Sequence, residues 1–120
     1  MKLKMIAMFA AMVIAGPSVA HEAKGKRGGH VVDAGDFHVE LVAKGSAVEV
    51  YVAHHDDKPV ALGGYKGLAI LLIDGKSQRI VLEATDSSKL TGKATGNLPA
   101  QPKGVVQITP PGGKALSARF

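Results

Sequence analysis

The chain has 120 residues, no cysteine and a formal charge of +5. That length allows one small domain with a modest core, and the missing cysteine excludes disulfides, thiolate nucleophiles and thiolate metal ligands. The positive charge is scattered, without a basic stripe or interleaved aromatics, which excludes a nucleic-acid surface.

The N-terminus opens with Lys2 and Lys4, continues through an apolar run from Met5 to Ala15, and ends in Ser18-Val19-Ala20. A basic start, a short apolar stretch and small residues before a cut are the parts of a secretory signal peptide. A spanning helix needs about 20 apolar residues, and Gly16-Pro17 interrupts this one too early. Export with cleavage after Ala20 is therefore expected, with a periplasmic location, no membrane span after cleavage and His21 as the new N-terminus. All four methionines lie in this leader, so the exported part has no thioether for Cu(I).

Residues 21–29, HEAKGKRGG, are polar and glycine-rich and read as a flexible arm. From His30 to Phe120 the pattern is that of one β-domain. DFHVELVAK and AVEVYVAH both alternate with period two around Gly45-Ser46, a hairpin signature whose turn needs positive φ at its first residue. KGLAILLID and SQRIVLEA flank Asp74-Gly75 in the same way. Lys89-Leu90-Thr91 suggests one short strand, and VVQIT and KALSARF flank the breaker PPGG. Nothing sustains a helical period. The expected fold is all-β: a small antiparallel sandwich or partly closed barrel of about six or seven strands built from hairpins.

If Gly45 and Ser46 are the turn pair, Lys44 faces Ala47. Phe37, Val39 and Leu41 then share a core face with Val48, Val50 and Val52. The opposite face collects Asp36, His38 and Glu40 with Glu49, Tyr51 and His55. His38 and His55 become diagonal neighbours, within reach of one another. His54 falls on the core side at the strand end, as a rim residue.

This cluster is the candidate site. His38 and His55, with His54 assisting, supply nitrogen, while Asp36, Glu40 or Asp56 supplies oxygen. Imidazole and carboxylate without thiolate suit Cu(II) or Zn(II) and disfavour calcium; no organic cofactor is implied. The α-amino group and imidazole of His21 would form a second chelate, completed by His30, His38 or His55. The same residues also suit an ordinary polar sheet face followed by a polar loop. No enzyme is expected: there is no G-x-S-x-G, Asp56 and Asp57 point apart in an extended segment, and no glycine pair precedes a helix.

The series GGHVVDAGDFHVELV, VEVYVAHHDDKPV, GYKGLAILLIDGK and PGGKALSARF resembles a family of small exported β-domains. Its members are encoded with bacterial heavy-metal resistance and efflux systems, and related domains are fused to efflux adaptor subunits. The resemblance spans Gly28 to Phe120. It implies a periplasmic module that handles copper, zinc or a similar cation. Where members often place a histidine before the Gly-Gly pair this chain has Arg27, followed by His30; where they tend to carry Asp it has His54. Two function classes follow: a periplasmic metal-binding module in metal homeostasis or resistance, and a metal-free interaction domain docking on an efflux adaptor or other envelope protein.

Overall fold

A computed structural model describes residues 23–120, and the expected leader, its cleavage point and His21 lie outside them. The described chain is antiparallel β throughout, as the period-two pattern requires. Its strands are β1 (Ala23–Lys24), β2 (His30–Ala34), β3 (Phe37–Lys44), β4 (Ala47–His54), β5 (Lys66–Ile73), β6 (Lys76–Ala84), β7 (Leu90–Lys93), β8 (Gly104–Thr109) and β9 (Leu116–Arg119). They form one sheet in the order β1-β2-β3-β4-β7-β6-β5-β8-β9. The short β7 joins two hairpin-built halves, pairing β4 on one side and β6 on the other.

The sheet curls until β9 returns against β2, so the barrel is nearly closed. Across that last seam the rings of His30 and Phe120 stand 6.2 Å apart. Inside lies a single core that draws on every strand from β2 to β9 except the edge positions: Val39, Leu41, Val48, Val50, Leu71, Ile80, Leu82, Leu90 and Ile108 are all buried. Each fully buried aliphatic side chain contributes about 1.5–3 kcal/mol relative to exposure. Among the described residues no helix is long and apolar enough to cross a membrane.

Turn chemistry sets the registers. Gly45 has φ +60° and begins the two-residue β3–β4 turn, the conformation that a turn of this hand demands of its first residue. Lys44 consequently faces Ala47 and the pairing runs unbroken to Phe37 opposite His54. Asp74 and Gly75 both have positive φ and form the corresponding tight turn of β5–β6.

Two stretches differ from expectation. His30–Ala34 is a full strand, paired to β3 from His30 opposite Leu41 to Ala34 opposite Phe37. The glycine-rich run before it, expected as a flexible arm, is a hydrogen-bonded turn: Gly25 N–H donates to the Gly29 carbonyl and Gly28 N–H to that of Gly25. A two-residue strand, β1, pairs ahead of it with β2.

Candidate metal site on the outer face of the first hairpin

Alternation along β3 sends Val39 and Leu41 inward and His38, Glu40 and Val42 outward; along β4 it sends Glu49, Tyr51 and Ala53 outward. After His54 the chain reverses. His54 N–H donates to the Lys58 carbonyl and Asp57 N–H to the His54 carbonyl, while Asp57 adopts φ +67°. Pro59 then bridges back to Ala53, and Val60 N–H donates to Val52. This tight reversal brings His55 and Asp57 over the same face as His38.

His38 Nε2 and His55 Nδ1 are 3.2 Å apart, with ring planes at 78°. His38 is the centre of the cluster. Its Nε2 also lies 3.6 Å from Asp33 Oδ1, and its Nδ1 lies 3.7 Å from Asp57 Oδ1. Asp33 is directly opposite His38 on β2. Both carboxylates escaped sequence reasoning, Asp33 because its strand was not recognised and Asp57 because an extended segment would have turned it away. The left-handed backbone at Asp57 is what redirects it.

The other expected ligands are placed elsewhere. His54 lies on the inner side at the strand end, its ring 5.5 Å from that of Phe37, which matches a rim role. His30 is also inward and buried, against Phe120. His30 therefore lies on the opposite face of the sheet from the His38–His55 pair, and His54 stands exposed at the rim between the two faces. Asp36 is exposed in the β2–β3 turn, outside the strand pairing, which ends at Phe37 opposite His54. Asp56 is occupied locally, accepting from the Lys58 backbone N–H.

Glu40 is withdrawn for a different reason. It is only 5% exposed, and one oxygen accepts the backbone N–H groups of Arg27 and Gly29 at 3.1 and 3.0 Å. The other pairs with the Arg27 guanidinium at 3.3 Å. A Cβ on Gly25 would collide with this carboxylate, so the glycines that suggested flexibility instead let the turn close over Glu40. Arg27 also lies over the Tyr51 ring, 3.9 Å from its centroid, a favourable cation–π position.

Glu49, on the same face, is a second buried carboxylate at 7% exposure. It accepts from Lys89 Nζ and Tyr51 Oη, both at 2.7 Å, and pairs with Lys44 Nζ at 3.0 Å. The hydrogen bonds from Lys89 first, then from Tyr51 and Lys44, hold its pKa down at about 2. Burial and the adjacent carboxylate push the Tyr51 phenol upward. Glu49 is thereby a structural anchor, saturated with donors.

Chemically, then, this face offers two imidazole nitrogens close together and two nearby carboxylates. Among the described residues no three His, Asp or Glu side chains are already arranged around a common point for a metal; completing a ligand sphere would require the Asp33 or Asp57 side chain to move, or a donor from outside. A groove of about 380 Å³ adjoins the pair, lined by residues of the 24–27 turn, by His38, Tyr51 and Ala53, and by Pro59. No protein-family model, curated protein or solved structure matches the chain.

Proposed function

We propose that the protein binds a transition-metal ion, Cu(II) or Zn(II), through His38 and His55, acting as an exported, periplasmic module of metal homeostasis or resistance. One observation carries the reading: the 3.2 Å separation of His38 Nε2 and His55 Nδ1. Two nitrogens each about 2.0–2.1 Å from a tetrahedral ion stand about 3.3–3.4 Å apart. The pair is thus close to the spacing an ion imposes, on a rigid sheet face that fixes His38 and a hydrogen-bonded turn that fixes His55. Asp33, 3.6 Å from the same His38 nitrogen, is the nearest oxygen donor, and Asp57 lies 3.7 Å from its other nitrogen, on the side from which a carboxylate commonly orients a metal-bound histidine. Export follows from the leader pattern, and the efflux context from the resemblance.

The test is calorimetric titration of the protein with Zn(II) and Cu(II). The wild-type chain is expected to bind one ion, with His38→Ala and His55→Ala each weakening it at least about tenfold and His54→Ala changing nothing. Millimolar-only binding that is the same in all four proteins would sink the reading.

A second reading has its own observation. The outer face of β5–β6–β8 is apolar at its centre: Leu72 and Val81 are 46% and 67% exposed, beside half-buried Leu68, Ile70 and Val105. Alternation places Lys66, Arg79 and Arg119 on that face against Glu83 alone among the residues of these strands. Such a patch suits docking on an acidic protein surface, the metal-free interaction domain. Equal metal binding in the histidine variants and the wild type would favour it.

A further inference from the structure

The groove beside the histidine pair has an apolar floor, in which Val31, Ala53 and Pro59 take part, and a charged rim that does not balance. Glu40 is spent on Arg27 and two backbone N–H groups. Asp57 stands against His38. Lys24 and Lys26 also line the groove, are exposed, and have no carboxylate partner among the described residues. Two ammonium groups at the mouth of a partly apolar groove favour an organic anion. A volume of about 380 Å³ lies near the lower end of ligand sites, about 300–1,000 Å³, and so favours a small molecule over a peptide.

His38 belongs to both the groove and the imidazole pair. Two protein nitrogens leave a four-coordinate ion with two positions to fill, and among the described residues no third donor is already in place. An anion lying in the groove stands beside that ion. We infer that the groove takes a small dicarboxylate that completes the coordination of the metal, with one oxygen of each carboxylate filling the two open positions and the outer oxygens held by Lys24 and Lys26. The inference rests on the metal reading above. It goes beyond that reading by assigning the missing donors to a bound co-ligand, which makes the cargo a metal–carboxylate complex.

Malonate is a suitable probe. Zn(II) is titrated into the full chain with and without malonate, correcting for the zinc that malonate holds in solution. Malonate is expected to raise the zinc affinity about tenfold, within the usual range of coupling between two ligands. The Lys24→Ala/Lys26→Ala double variant is expected to lose that gain while keeping its affinity for zinc alone, because both side chains are exposed and neither is a proposed ligand. Zinc binding that malonate does not strengthen overturns the co-ligand and leaves the metal reading standing. A gain that persists in the double variant overturns the groove as its seat. Absence of zinc binding to the wild-type chain overturns both.

Discussion

The two long hairpins of this barrel, β3–β4 and β5–β6, are built alike and used differently. Both have strands of eight or nine residues joined by a tight two-residue turn, and both send an aliphatic stripe into the same core. Their outer faces diverge. That of β3–β4 is covered by the turn at 25–29 and carries Glu40 and Glu49, each buried and surrounded by donors, followed by the His38–His55 pair. That of β5–β6 carries Leu72 and Val81 in the open. A sheet needs only one apolar face to fold, so the second face is available for chemistry; here one hairpin commits it to polar groups held in fixed positions and the other leaves it bare.

The largest expected effect is one the two hairpins share. Leu41→Ala in β3 and Leu82→Ala in β6 each empty a site in the common core, where both side chains are almost fully buried. Each is expected to cost about 2–5 kcal/mol, read from urea denaturation. Comparable losses would show that the halves fold as one cooperative unit across β7. A marked inequality, or two separate transitions, would break the comparison by showing that the bridge of β7 is too short to couple them.

Acid should act on the first hairpin through Glu49. Glu49 has a folded pKa of about 2 against an ordinary 4.5. A depressed carboxylate contributes stability that is fully present above its unfolded pKa and is lost as pH falls towards the folded value. Stability is therefore expected to fall between about pH 5 and pH 2. The carboxylate is well covered, but Lys44 reaches into solvent with its side chain 68% exposed, so screening reduces the gain to about 1–2 kcal/mol. Glu49→Gln should remove most of that pH dependence, measured as the urea midpoint at pH 7 and pH 3. An unchanged slope in the variant would mean that other carboxylates carry the acid sensitivity.

How much of this was legible in the sequence depended on the range of the interaction. The β3–β4 register could be read because it is local: Gly45-Ser46 fixes the turn, and period two then assigns every face from Phe37 to His54. The rim position of His54 follows from that register alone, while the approach of His55 to His38 also needs the reversal that begins after His54. The strand His30–Ala34 is hard to read because its five residues include Asp33 and directly follow a glycine pair. The run from Lys24 to Gly29 resembles a flexible arm since glycine has the same local signature whether it permits motion or close approach. Only the fold reveals that the Glu40 carboxylate lies against it. The same limit hid Asp33 and Asp57 from the candidate site: one needed an unseen strand, the other a backbone reversal.

The smallest expected effect tests the bare side of the comparison. Val81 is 67% exposed and stands opposite Leu68, so it removes little area from water. Val81→Thr keeps the branched β-carbon that suits a strand and replaces only an outward methyl by a hydroxyl that solvent can satisfy. Its cost in urea denaturation is expected to stay within about 0.5 kcal/mol, with the zinc affinity proposed for the histidine pair unchanged because that pair belongs to the other hairpin. A small or null effect would mean that this apolar surface is not maintained by folding, which leaves contact with another surface as its physical rationale. A loss above about 1 kcal/mol would instead make Val81 and Leu68 a cross-strand pair that stabilises the sheet itself, and the contrast between a committed face and a bare one would fail on its bare side.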